Sequence, residues 1–134
     1  MREALEDAAA SFTARHISQP ELEALYDILE AEKQVIEDPK AASKLNKSFH
    51  TALAHAAHNR YLLDALDSLG LAIALLGLTA LSLPERKQNA LAEHQAILDA
   101  ITKNDTAGAG EAAKIHIRKS HRARLQLLLE TELG

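Results

Sequence analysis

Seven histidines stand in a chain of 134 residues that has no cysteine, so any transition-metal site here must be built from imidazole, carboxylate or amide groups. Spacing singles out three of them. Asn46 and His50 are one helical turn apart and would share a face, forming a two-ligand arm. His94 precedes Asp105 by as many residues as His116 follows it, so a helical hairpin turning near Asp105 brings both imidazoles to a similar height. Three neutral imidazoles, with an amide oxygen and water, suit zinc, nickel or a similar borderline divalent ion better than calcium or magnesium. Such an ion keeps exchangeable positions, which serve either a Lewis-acid catalyst or a sensor that anchors an oxygen ligand. Spacing alone does not choose between these, and it also accommodates three separate histidines, solvated or hydrogen-bonded in a core. His16, His55, His58 and His121 fall outside the trio: His55 and His121 each lie about 140° round a helix from a candidate ligand, and His16 and His58 sit in or just beyond final turns, where a cation complements the helix dipole.

The elements that must position these residues are helices. Apolar residues recur at intervals of three and four almost from end to end, and no stretch alternates as a half-buried strand does. Six helices are predicted. The first spans about Arg2 to His16. Ser18 caps the second, with Pro20 and Glu21 in its opening turn and Leu22, Leu25, Leu29 and Ile36 on its apolar side, and Asp38-Pro39 ends it. The third runs from about Lys40 to Ala57 and carries Leu45, Phe49 and Leu53. Asn59 caps a fourth from Arg60 to about Ser82, apolar all round after Asp67. Pro84 opens a fifth, to about Lys103, and a long sixth extends to about Glu132. Short connections imply antiparallel neighbours, hence an all-α antiparallel bundle in one domain, residues 1–134.

Bulk properties narrow the function. The chain is 47% hydrophobic but only 3% aromatic, and alanine and leucine favour helix. A net charge of −4 and a pI near 5.9 argue against this chain alone gripping a phosphate backbone. No signal peptide is recognisable, and the charge-free run from Leu69 to Leu83 would reach only about 22 Å as a helix against roughly 30 Å for a bilayer core. That run reads as a buried helix, and the chain as cytoplasmic with no membrane partner. Lys114, Arg118, Lys119, Arg122 and Arg124 make the last helix locally basic, which reads as a solvated face. Arg2 with Glu6, and Glu93, are candidates either for orienting a ligating imidazole or for plain surface pairing. No phosphate-binding glycine loop, nucleophile elbow or His-Glu-x-x-His helix is present.

Four segments in order resemble the FCD effector-binding domain of GntR-type transcription factors, and nearest its six-helix VanR-like branch. They are Arg2-Glu3-Ala4-Leu5-Glu6-Asp7-Ala8-Ala9-Ala10 at the start, Asn46-Lys47-Ser48-Phe49-His50 closed by Asn59, Glu93-His94-Gln95-Ala96-Ile97-Leu98-Asp99-Ala100-Ile101, and Asp105, Ala109, Ala112 and His116. The resemblance implies metal ligation by Asn46, His50, His94 and His116, with asparagine standing where metal-binding members carry aspartate. Affinity should suffer from that change. The Ala72–Leu78 stretch lacks the arginines many relatives place there, so the usual cation for a carboxylate effector is expected to be missing and a more apolar or acyl ligand, bound without metal, becomes an alternative. The implied function is a regulatory domain, without catalysis, that binds a small organic effector, an organic acid, at the histidine-bound divalent metal and acts as a homodimer on DNA through a winged helix-turn-helix outside this chain. A metal-dependent hydrolase is the alternative of another class, disfavoured because position 46 offers an amide rather than a carboxylate general base.

Overall fold

The computed structural model describes the backbone of residues 1–74 and 84–133 and the side chains of 1–69 and 85–130. Its elements are α1 (Arg2–His16), α2 (Gln19–Gln34), α3 (Pro39–Ala56), α4 (Arg60–Ala74), α5 (Pro84–Thr102) and α6 (Thr106–Leu133). The six expected helices are present. The continuation of the fourth helix to Ser82, and most of the apolar run up to Leu83, lie outside the described residues.

Local chemistry sets the helix starts. Ser18 and Glu21 form a reciprocal capping box at α2. Asn59 Oδ1 accepts the Leu62 amide at α4, and Asp105 Oδ1 accepts the Gly108 amide at α6. One boundary departs from expectation. α2 stops at Gln34, four residues before Asp38, and Ile36 lies in the turn beyond it. Asp38 starts the next helix rather than ending the previous one: its carboxylate accepts the Ala41 amide with Pro39 at the first helical position, while its own amide bonds back to Val35.

α1 is the hub, packing against α3, α4, α5 and α6, while α2 lies on α3 and α5. The core is Phe49, Leu25, Leu29, Leu53, Ile97, Leu98 and Ile101, all buried, with small residues Ala10, Ala14, Ala109 and Ala113 where α1 and α6 approach closely. Gly110 marks the tightest point, since a Cβ there would overlap the Asp7 carboxylate and the Ser11 hydroxyl of α1. Thr13 Oγ1 donates to the Leu53 carbonyl at 2.8 Å and fixes α1 on α3. Among the described residues no helix is long and apolar enough to cross a membrane.

Candidate metal centre

Three helices present imidazoles to one point. His50 comes from α3, His94 from α5 and His116 from α6, and one ring nitrogen of each lies within 4.8 Å of the others. His50 Nε2 and His116 Nε2 are 3.0 Å apart. The α5–α6 hairpin, turning at Asn104 and Asp105, puts His94 and His116 at matching heights with ring centroids 4.7 Å apart, as the symmetric spacing about Asp105 requires. His94 and His116 are buried, and His94 stacks on Phe49 at 4.1 Å and 10°. That core ring fixes the plane of the imidazole.

The tautomers follow from the partners. His94 Nδ1 lies 2.8 Å from Glu32 Oε2, and His116 Nδ1 lies 2.7 Å from Glu93 Oε1. An ionised carboxylate only accepts, so the Nδ1–H facing it donates and Nε2 keeps its lone pair; at His116 the 2.7 Å contact to Glu93 outweighs the longer one, 3.2 Å, from the donor-only Arg86 Nη2. His94 Nε2 is buried without a hydrogen-bond partner, and the facing Nε2 atoms of His50 and His116 have a proton or a cation as their natural bridge. A donor set of borderline nitrogen ligands with an orphaned buried lone pair fits a divalent transition-metal ion.

Burial pushes the His94 imidazole well below its ordinary pKa, and repulsion from His50 adds to this. His116 is also driven far down by burial, against the pull of Glu93. Both are therefore neutral, the form that ligates. Burial raises Glu93 too, but hydrogen bonds from His116 and Arg86 outweigh it and hold that carboxyl far below the usual range. Burial raises the Glu32 carboxyl to about 7, and the charge of His50 only partly opposes this. Glu6, on α1, is buried beside His50, with Oε2 3.7 Å from Nδ1, an electrostatic contact longer than a hydrogen bond. Desolvation lifts its carboxyl, and His50 and Arg2 more than compensate.

Asn46 is half-buried one turn from His50 and lines a small cleft with Glu32, Ile36, Ala42, Lys87, Ala90 and Leu91. His16, His55, His58 and His121 are exposed, outside the cluster. Two participants were not singled out from the sequence. Glu32 continues the buried stripe of Leu25 and Leu29, and Arg86 the stripe of Ala90, Glu93 and Ile97. A charge on an apolar stripe was the available signal. Arg86 makes a two-pronged pair with Glu93 at 2.8 and 2.6 Å and bonds Ser120 at 2.9 Å. A cation thus stands beside the imidazoles from α5. Of the basic residues in α6, Lys114 and Arg118 pair with Asp7 and Glu3, so part of that face clamps α1.

The profile of the FCD domain matches residues 1–119, nearly the whole chain. The chain belongs to the FCD domain family. This FCD domain is 32% identical over 94 residues to the "Putative L-lactate dehydrogenase operon regulatory protein" of Escherichia coli (strain K12) and to the protein of the same name in Shigella flexneri. The match covers 67% of this chain and 36% of each relative, so the chain spans about a third of the length of these curated relatives. Among solved structures it is similar to Streptococcus agalactiae GntR, with a TM-score of 0.76, 24% identity and coverage of 90% of this chain and 54% of that one. It is also similar to E. coli McbR/YncC, with a TM-score of 0.78, 19% identity and coverage of 94% and 65%. Both likenesses speak for the fold. The all-helical bundle and the family expected from the sequence are borne out.

Proposed function

We propose that this FCD domain senses a small organic effector, a carboxylate, at a divalent transition-metal ion held by His50, His94 and His116, and that it regulates transcription through a DNA-binding domain outside the chain. The supporting observation is the convergence of three imidazole nitrogens on one buried point, with two Nδ1 positions committed to carboxylates. Zinc or nickel suits the donors, and Asn46, one helical turn from His50, is the proposed source of an amide oxygen. Bound there, the ion would offer exchangeable Lewis-acidic positions to an oxygen ligand.

The route we propose for a carboxylate is the small cleft lined by Asn46, Glu32 and Lys87. Lys87 is half-buried and makes no ion pair among the described residues, so its charge is available to an anion. It would serve where the arginines of the fourth helix are missing. A hydrolase is disfavoured because Glu32 and Glu93 hydrogen-bond the outer nitrogens of two imidazoles and Glu6 lies against His50 and Arg2, while position 46 offers an amide where a carboxylate general base would stand. The similarity to regulators of an L-lactate dehydrogenase operon makes α-hydroxy acids natural first probes, since a carboxylate and an adjacent hydroxyl can chelate one ion. We further propose that the domain acts as a homodimer in the cytoplasm.

Calorimetry tests this reading. Zinc or nickel should bind the metal-free chain at micromolar concentration or tighter, and L-lactate or another small carboxylate should then bind the loaded form and not the metal-free form. Lys87→Met should weaken the carboxylate about tenfold, the scale of one charge-assisted hydrogen bond, with metal affinity unchanged. No metal binding at micromolar concentration would remove the reading.

A further inference from the structure

The trio supplies nitrogen ligands and no charge, while the amide at position 46 is neutral too. A dication bound by neutral donors in a buried site needs negative charge nearby, because desolvating an unbalanced ion costs several kcal/mol even after relaxation. The fold provides that charge just outside the imidazoles. Each ligating ring has a glutamate facing its Nδ1, from three different helices: Glu32 of α2 hydrogen-bonds His94 and Glu93 of α5 hydrogen-bonds His116, while Glu6 of α1 stands 3.7 Å from a His50 Nδ1 that has no hydrogen-bond partner. All three are buried, and Arg86 is the only other residue with a permanent charge buried among the described residues. With all three carboxylates ionised, the one buried guanidinium leaves the cluster two negative charges, matching one dication, and a cation held beside Glu32 would itself favour the ionised form.

Glu32 is the telling member. Glu93 is paired with Arg86 and Glu6 with Arg2, at 3.7 Å, but Glu32 has only the neutral His94 as partner and no cation within ion-pair distance among the described residues. Its second oxygen is buried with no hydrogen-bond partner. In a purely structural role a glutamine or an aliphatic residue would serve the same place without that desolvation cost.

We propose that Glu6, Glu32 and Glu93 form an outer ring of positioning residues for the metal centre, one per imidazole, supplying the negative charge that the neutral inner ligands lack. This rests on the proposed metal binding by the three histidines and deepens it. Glu32 carries the largest share that nothing else in the described structure accounts for.

The test compares wild type, Glu32→Gln, Glu6→Gln and Glu93→Gln, with the exposed Glu30→Gln on the same helix as control. At positions 32 and 93 glutamine keeps an oxygen to accept Nδ1–H while removing the charge, and at position 6 it removes the charge facing His50. Cobalt(II) and zinc affinities are measured by calorimetry, with the cobalt absorption spectrum as a second readout and melting of the metal-free form as a folding check. Glu32→Gln should bind either metal about 10–100-fold more weakly, the usual range for an outer partner of a ligand. It should also shift the cobalt bands, while its metal-free form melts no lower than wild type. Glu93→Gln should also weaken binding but lose stability through Arg86, so Glu32→Gln decides. Should Glu32→Gln match wild type and Glu30→Gln in affinity and spectrum, the charge-ring proposal is overturned while the three-histidine site stands. A lower metal-free melting temperature with unchanged metal affinity would make Glu32 a structural residue and overturn it as well. Absence of metal binding by wild type would instead defeat the underlying reading.

Discussion

At the scale of single residues, the centre depends on a few buried charges whose partners are fixed. Arg86 is 6% exposed, and its guanidinium holds Glu93, which in turn holds His116. Removing Arg86 while keeping Glu93 strands a carboxylate in the core, which typically costs about 3–5 kcal/mol. Arg86→Met should therefore lower the urea midpoint strongly, and Arg86→Met with Glu93→Leu should recover much of the loss. Equal destabilisation by the single and double variants would show that the pair matters through packing alone. The histidine trio was legible in the sequence because helical spacing is enough to align ligands, and Glu6 and Glu93 were within reach as candidate partners. Glu32 and Arg86 were not, because a lone charge in an amphipathic helix looks solvated until another helix is packed over it. The expectation of a missing cation was drawn from the fourth helix. It did not anticipate that Arg86 and Lys87, in the first turn of α5, stand beside the imidazoles and the cleft.

At the scale of elements, most helices could be read from their caps. Ser18 with Glu21 and Asn59 are local signals, and their hydrogen bonds are satisfied within a few residues of sequence. The end of α2 was misplaced because Asp38-Pro39 can act both as a breaker of the preceding helix and as a cap for the next one, and only the bonding of Asp38 to Ala41 shows that the second role dominates. The packing of α1 on α6 was less legible still, since it rests on alanines and on Gly110, small residues with little hydrophobic signal. α6 itself supports the proposed homodimer. Leu125, Leu128 and Leu129 are exposed on one face at spacings of three and four, an arrangement that buries well against a second helix. Light scattering should give twice the monomer mass, and Leu125→Glu with Leu129→Glu should give a folded monomer. A wild-type chain that stays monomeric at high concentration would end the dimer reading.

For the whole molecule, one point ties α1, α2, α3, α5 and α6 together, so the state of the centre should set the stability of the bundle. In the metal-free chain, His94 and His116 have pKa values depressed below the ordinary 6.5. Their contribution is fully present above pH 6.5 and is lost as pH falls, because the unfolded chain then takes up protons the folded chain refuses. Glu32 works in the other direction. Its pKa is raised from 4.5 to about 7, so its contribution is complete below pH 4.5 and is lost as pH rises through 7. Two histidines outweigh one glutamate below pH 6.5. Metal-free stability should thus peak between about pH 6.5 and 7 and fall on the acid side by roughly 1.4 kcal/mol per unit for each net proton. Metal bound to the folded form adds stability by mass action, about 2.7 kcal/mol at free metal one hundred times the dissociation constant. Thermal melts from pH 5 to 8, with chelator and with zinc, measure both effects. Melting temperatures in chelator that keep rising as the pH falls to 5 would mean that the two buried imidazoles are charged in the fold, and a charged imidazole has no lone pair to offer a metal.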